Sequence, residues 1–532
     1  MRFNHYQFPS RRSNVLARNG VVATSQPLAA QAGLDMLKNG GNAVDAAIAT
    51  VATLCVVEPC STGIGGDAFA LIWWADEQVL YGINASGPAP QALTADWIRA
   101  QGHETMPSVG PITVTVPGSL RGWQLALQRF GSKPLGELLR RPYAYARHGY
   151  PVSERICASW QRSQTFLSQH PDSRRVWVPG GRTPRAGEIF RNPEFAATLK
   201  SIAVEGVDAF YEGDIARQIA HAVQEAGGVL TEDDLAAYRA VWVEPLSAPY
   251  RDGYTFHEIP PNGQGLAALL ALNVARGFDL RSMDYDDPQR VHLLIEAMKL
   301  GFADALAHVA DPRQAPAPLP GLLSDAYAAQ RRALIDPAKA MTPYPGDPPG
   351  RGDTVYLTVA DGAGNMVSWI QSLYAGFGSG LTAGTTGVQL QNRGANFTLE
   401  DGHPNQVAPG KRPYHTIIPA FITHEGQPWA SFGVMGGFMQ PQGHLQVGVN
   451  LIDYGMDPQA ALDAPRFRWI KDRQVTLETS FPAAILQALA ALGHELVENH
   501  YSGGGQVIVR DPHSGVYIAG SEPRNDGAAV GI

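Results

Sequence analysis

Gly352-Asp-Thr-Val-Tyr-Leu-Thr-Val-Ala-Asp-Gly-Ala-Gly-Asn365 is the stretch on which the reading of this chain turns. From Thr354 to Asp361 the residues alternate at strand period, Gly362-Ala-Gly364 turns the chain, and Asn365 to Ser372 returns. Two alternating runs joined by a glycine turn specify a β-hairpin. Upstream, Asp311 to Gly352 is rich in proline and glycine, with weak periodicity after Asp336. It reads as an exposed, cleavable connector that delivers the chain to Thr354.

A threonine opening a strand is by itself ordinary β-branched filler. Its hydroxyl is a poor nucleophile at neutral pH and needs an adjacent base. Breaking the Asp353–Thr354 peptide bond supplies that base, because Thr354 then carries a free α-amine. Such an amine has an ordinary pKa of about 7.7–8.0 and accepts the hydroxyl proton near neutrality. The same hydroxyl can attack its own preceding carbonyl, so maturation needs no protease. A hairpin that starts Gly-Asp-Thr after a connector therefore suggests an N-terminal-nucleophile (Ntn) hydrolase.

Working outward, helix and strand signals alternate. Pro27 to Lys38 has helical spacing and stops at Asn39-Gly40-Gly41, and a second helix starts at Ala43. Ala68 to Trp74 reads as a strand, Phe190 to Ala240 as two or three helices, and Gln289 to Val309 as one long helix. After the hairpin, clear helical patterning recurs only at Ala483 to Leu492. The 532 residues are 44% hydrophobic and 17% charged, which describes a folded chain larger than one small core. A net charge of −8 with no long basic run argues against nucleic-acid and anionic-membrane partners. Cys55, Cys60 and Cys157 are too few and too scattered for a metal site and fit a reducing compartment. The polar, basic start Met1 to Asn19 lacks a signal-peptide core, and Ala43 to Val57 is too short and polar to span a bilayer. The expected localisation is cytoplasmic.

The chain resembles the γ-glutamyltransferase family over nearly its whole length. The resemblance rests on Gly41-Asn-Ala-Val-Asp-Ala-Ala47, Glu58-Pro-Cys-Ser-Thr-Gly-Ile-Gly-Gly66, Val116-Pro-Gly118, Gly352-Asp-Thr354, Phe377-Gly-Ser-Gly380, Pro409-Gly-Lys-Arg-Pro413, Gly436-Gly437 and Asp526-Gly-Ala-Ala-Val-Gly531. Each is weak alone, and their order along one chain is specific. The resemblance implies an α+β, four-layer αββα sandwich and autocleavage between Asp353 and Thr354. A large subunit 1–353 and a small subunit 354–532 would then form one intertwined domain. It implies Thr354 as nucleophile, Ser372 as a second hydroxyl beside it, and the amides of Gly436 and Gly437 as oxyanion hole. No metal or organic cofactor is expected, and a dimer of the processed heterodimer is a possible assembly.

Several positions depart from the transferases. Ala95 stands where the family's γ-glutamyl enzymes have a carboxylate-binding arginine, and a methyl cannot pair with a carboxylate. Tyr374 replaces an asparagine, Asn396 replaces an aspartate that would hold the substrate ammonium, and His415-Thr416 replaces a serine pair. The run Thr398 to Pro413 is short where transferases carry a lid loop, so water is the favoured acyl acceptor. Arg393 is the candidate for holding a substrate carboxylate, the alternative being a structural ion pair. Tyr374, His415 and Thr416 are candidate hydrogen-bond donors, the alternative for His415 being a core histidine. Lys411-Arg412 read equally as loop charges. Together these features look like the oxamate amidohydrolase branch, which converts oxamate to oxalate and ammonia in purine (urate) breakdown. The alternatives are a γ-glutamyl hydrolase or transpeptidase with a rearranged pocket, a glutaryl-type acylase, or an inactive scaffold.

Overall fold

The hairpin forms, and it sits at the centre of a sheet. Asp353–Asp361 pairs antiparallel with Met366–Tyr374, and the two are flanked by Gly20–Thr24 on one side and Asp67–Trp74 on the other. The structure, a computed structural model, describes residues 12–343, 353–497 and 503–532. Ala528–Gly531, Val79–Ala85 and Val241–Val243 complete this seven-stranded antiparallel sheet. A second seven-stranded sheet runs in the order Val15–Ala17, Tyr517–Ser521, Gly505–Arg510, Gln427–Val434, Ala420–His424, Tyr254–Glu258, Leu246–Pro249.

The two sheets bury one face each against the other, with Phe69, Tyr356 and Ile370 meeting Ile418, Phe421 and Ile508. Their outer faces carry helices. Pro27–Lys38 and Ala43–Val57 cover the hairpin sheet. Gly265–Ala275, Pro288–His308 and Gln440–Ile452 cover the second. This is the four-layer αββα arrangement expected. Every residue of Ala43–Val57 is buried, the mark of a helix enclosed on all sides rather than of a membrane span. Among the described residues no helix is long and apolar enough to cross a membrane.

Both sheets interleave strands from before and after Thr354, so a cut there leaves two chains that share both sheets. Three expectations change. The segment expected to hold two or three helices folds as four: Pro193–Glu205, Asp208–Tyr211, Asp214–Glu225 and Glu232–Ala237. Gly206, Gly213 and Gly227, all at positive φ, punctuate it. The helix Gln440–Ile452 was not expected. All its residues are buried, so it lacks an amphipathic pattern, and its glycines serve packing. A Cβ on Gly443 would lie 2.5 Å from Val434, and one on Gly448 2.6 Å from Phe256.

The third change concerns the connector. Its upstream part forms Leu319–Leu322 and Asp325–Arg332, and its stem is tied to Pro288–His308. His292 Nε2 bonds to the Asp336 carbonyl (3.0 Å), Lys299 Nζ to the Met341 carbonyl (2.8 Å), and the Met341 N–H to Glu296 (3.1 Å). Gly352 and the residues just before it lie outside the described residues.

Candidate active site

Thr354 is the second residue of its strand, at a break in the hairpin register: Asp353 pairs with Tyr374, and Val355 already pairs with Gln371. Such a bulge re-aims a side chain out of the ladder. Thr354 is 3% exposed. Its Oγ1 donates to Ser372 Oγ at 3.3 Å and accepts from Gln440 Nε2 at 3.5 Å. Ser372 Oγ accepts from the Tyr374 N–H at 2.7 Å, which fixes the serine beside the nucleophile. Tyr374 takes a φ of +82°, a left-handed conformation that costs a non-glycine residue energy and is found where function over-determines the backbone.

Gln440 was missed by sequence reasoning. It opens the helix Gln440–Ile452 and is held by the Ile418 N–H, which donates to its Oε1 at 2.8 Å. The available signal was Pro441 just inside a helix start, four residues after Gly437. The glycine pair lies between the strand Gln427–Val434 and this helix, at φ +121° and +60°. The Gly437 carbonyl is taken by Gln264 Nε2 at 2.9 Å. Neither glycine N–H donates to a hydrogen bond among the described residues. Two amides at the positive end of a helix suit a developing oxyanion.

Arg393 is fully buried, in the turn Arg393–Asn396. One Nη donates to Thr416 Oγ1 at 2.7 Å, and the guanidinium carbon sits 4.5 Å from the centre of the Tyr374 ring. Its Nε and other Nη have no partner among the described residues. Burial pulls the guanidinium down to about 10, with Asp67 and Tyr374 opposing. A cation in a dry site with two unused donors is prepared for an anion. It makes no ion pair within 4.0 Å among the described residues, so the alternative of an ordinary structural pair does not describe it. Asn396 is 8% exposed, and both its side-chain polar atoms are likewise unpartnered among the described residues.

His415 is turned elsewhere. Its Nε2 lies 3.1 Å from Asp67 Oδ2, and its Nδ1 faces the Ile417 N–H at 3.4 Å. Burial, then Arg393 and Arg412, holds it neutral well below its ordinary range. The core-histidine alternative therefore describes its contacts, and the donor expected for substrate is engaged with Asp67. Asp67 also accepts from the Gly87 and Gly118 N–H groups (both 3.0 Å) and Gln391 Nε2 (2.9 Å). Its burial raises the carboxyl to about 7 despite Arg393. Asp67 was not singled out from sequence; its only signal was an acid following Gly65-Gly66 at a strand start.

Lys411 and Arg412 are not solvated loop charges. Both are 6% exposed. Lys411 Nζ donates to the Gln406 carbonyl at 2.9 Å and Arg412 Nε to that of Ser86 at 3.0 Å, locking the short loop. Ala95 packs with Leu93, Ile98, Phe397 and Leu399, so apolar contact fills the position where the transferases place arginine. Two cavities adjoin the site. One of about 170 Å³ reaches Thr354. The other, about 610 Å³, has Tyr374, Asn392 and Phe397 in its wall. Among the described residues, one group with metal-ligand chemistry, His292, Glu296 and His494, is buried away from this set. Lys299 Nζ occupies Glu296 there at 2.7 Å.

A strand-opening threonine on an αββα frame, with a second hydroxyl beside it and a helix-start glutamine bonded to it, is the arrangement of an Ntn hydrolase. The chain belongs to the gamma-glutamyltranspeptidase family, whose model matches residues 29–532. It is similar to cephalosporin acylase from Bacillus halodurans, with 48% identity over 100% of this chain and 99% of that one and a TM-score of 0.95. It is 37% identical to the glutathione hydrolase-like YwrD proenzyme of Bacillus subtilis, over 98% of this chain and 99% of that protein. It is 34% identical to the oxamate amidohydrolase proenzyme of Klebsiella pneumoniae, again over 98% and 99%. The chain is thus an autoprocessed Ntn amidohydrolase. The three names point to different substrates, so the family fixes the reaction and leaves the acyl group open.

Proposed function

We propose that this enzyme hydrolyses a small amide whose acyl part carries a carboxylate, with oxamate the leading candidate and oxalate plus ammonia the products. One observation carries the reading: Arg393, buried beside the nucleophile's neighbours, keeps two guanidinium donors unused while Ala95 removes the transferases' own carboxylate anchor. Thr354, Ser372, Gly436 and Gly437 form the catalytic group, and Tyr374, Arg393, Asn396 and Thr416 the acyl pocket. His415 supports that pocket through Asp67.

Cleavage between Asp353 and Thr354 frees the α-amine. Thr354 Oγ then attacks the amide carbonyl and its proton passes to that amine. The Gly436 and Gly437 amides hold the oxyanion. The proton moves on to the departing nitrogen, ammonia leaves, and water releases oxalate from the acyl-threonine. Ser372 and Gln440 orient the hydroxyl. A role in purine breakdown and a cytoplasmic location belong to this reading.

The test is ammonia release from oxamate by the processed protein. Release at or below that of a Thr354→Ala control sinks the substrate assignment. A second reading is hydrolysis of longer dicarboxylic amides of the glutaryl type: the 48%-identical cephalosporin acylase supports acylase chemistry, and the chamber behind Tyr374 offers room for a longer acyl group. A kcat/KM for a glutaryl amide well above that for oxamate would select it.

A further inference from the structure

The uncleaved chain has a need that the mature enzyme does not. After cleavage the α-amine of Thr354 takes the hydroxyl proton. Before cleavage that nitrogen belongs to the Asp353–Thr354 amide, and an amide is no base. The hydroxyl that opens this bond therefore requires another proton acceptor. Its two hydrogen-bond partners among the described residues do not supply one. Ser372 Oγ at 3.3 Å and Gln440 Nε2 at 3.5 Å belong to neutral groups.

The cavity of about 170 Å³ that reaches Thr354 holds the alternatives. Its titratable and charged lining among the described residues is Glu58, Cys60, Arg155, Arg162, Arg524 and Asp526. The arginines are cations and accept no proton. Arg155 and Arg162 stand exposed on the helix Glu154–Arg162, whose other face, with Ile156, Cys157 and Trp160, is buried. Arg524 is held by Glu478 and, at 2.7 Å, by Glu522. Cys60 is a buried thiol that carries its own proton. Glu58 is a carboxylate, but its Oε2 already accepts from Ser25 Oγ at 2.6 Å. Asp526 differs from all of these. Its Oδ2 is buried with no partner among the described residues.

Sheet register brings Asp526 and Thr354 to the same end of the hairpin sheet. Thr24 pairs with Ala528 on one side and with Leu357 on the other, antiparallel to both. The strands Ala528–Gly531 and Asp353–Asp361 therefore run parallel, with Gly20–Thr24 between them. Asp526 precedes Ala528 by two residues and Thr354 precedes Leu357 by three, so both lie on the same side of that line. Two strand spacings, about 10 Å, separate the backbones, a gap that two side chains and one water span. Gly527 fixes the approach of Asp526, since a Cβ there would lie 2.7 Å from Ser521 Oγ.

We propose that Asp526 is the proton acceptor for self-cleavage, acting on Thr354 Oγ through a water in this cavity. This rests on Thr354 as the self-cleaving residue. Thr354 Oγ bonds to the carbonyl carbon of Asp353 while its proton passes through the water to Asp526. The carbon–nitrogen bond breaks, and the proton returns from Asp526 to the Thr354 nitrogen, which becomes the α-amine. An ester then joins Asp353 to Thr354 Oγ. A second water hydrolyses it to the Asp353 α-carboxylate and the free hydroxyl, and its remaining proton goes to the new amine. The α-amine then serves as base for amide turnover.

The test follows cleavage of newly made full-length chain, pulse-labelled in cell-free translation and sampled into denaturant. D526N should cleave about a hundredfold more slowly than wild type, the scale of a lost general base. D526E should recover part of the rate. Added formate should accelerate D526A in proportion to its concentration, and chloride at equal ionic strength should not. Rescue by formate also shows that the variant is folded. Cleavage of D526N at the wild-type rate overturns the proposal, and loss of cleavage in D353N would then give the role to the carboxylate beside the scissile bond. Slow cleavage that neither D526E nor formate relieves marks Asp526 as structural and equally overturns it. Cleavage of a Thr354→Ala chain at the same bond is a different result, because it removes the nucleophile on which the proposal rests.

Discussion

Arg393 and the Arg155–Arg162 pair offer the same guanidinium chemistry in opposite surroundings. Arg393 is enclosed, stacked on Tyr374 and fixed by Thr416. Its burial cost is already met by the fold, so an arriving carboxylate finds donors in place and little water to compete. Arg155 and Arg162 stand in solvent on a helix whose core face is pinned by Trp160. Their charges are screened within about 10 Å at 0.1 M salt, and their side chains lose entropy on binding. On the proposed reading the buried arginine selects the acyl group, and the exposed pair binds any anion more weakly.

The sharpest break in this comparison is loss of its centre. Thr354→Ala should leave a single uncleaved chain by denaturing mass measurement and no amide turnover, while Thr354→Ser keeps some of each. A cleaved, active alanine variant would refute the assignment of the nucleophile. Next, Arg393→Met should lower kcat/KM about a hundredfold for an acyl group bearing a carboxylate. A neutral acyl analogue should lose much less, and equal losses would make Arg393 architectural.

Asp67 provides a pH signature on the buried side. Its carboxyl is raised from 3.8 to about 7, so the fold favours the protonated form. That contribution is full below pH 4, declines as pH rises to 7, and is constant above. In the uncleaved Thr354→Ala background, melting temperature with Asp67 should therefore fall relative to Asp67→Asn between pH 4 and pH 7. A constant difference across that window would show that Asp67 is ionised throughout. Ser372→Ala should slow turnover about tenfold, since it removes the hydroxyl that receives the Thr354 hydrogen bond.

Period and punctuation made the hairpin, the first helix and the long helix Pro288–His308 legible in sequence, and a nearly unbroken apolar run did so for Ala43–Val57. Gln440–Ile452 is equally buried but was not legible, because Gln440, Gln442, His444, Gln446 and Asn450 interrupt its apolar residues and leave neither run nor period. The same reason hid Gln440, whose role comes from what the helix start touches. Lys411 and Arg412 misled for the converse reason: charge in a loop suggests solvent, but carbonyls of a tight loop can bury it.

The sequence by itself determined the candidates for nucleophile and oxyanion hole and the absence of the transferases' carboxylate-binding arginine. Those depend on local chemistry: a hydroxyl beside a scissile bond, backbone that only glycine tolerates, and an arginine replaced by alanine. Tertiary structure decided the rest. It took His415 from the substrate and gave it to Asp67, 348 residues away in the chain, left Arg393 with donors to spare, and brought Arg155 and Arg162 to the cavity of Thr354. None of these contacts joins near neighbours in sequence, and packing of two sheets and their helices is what sets such distances.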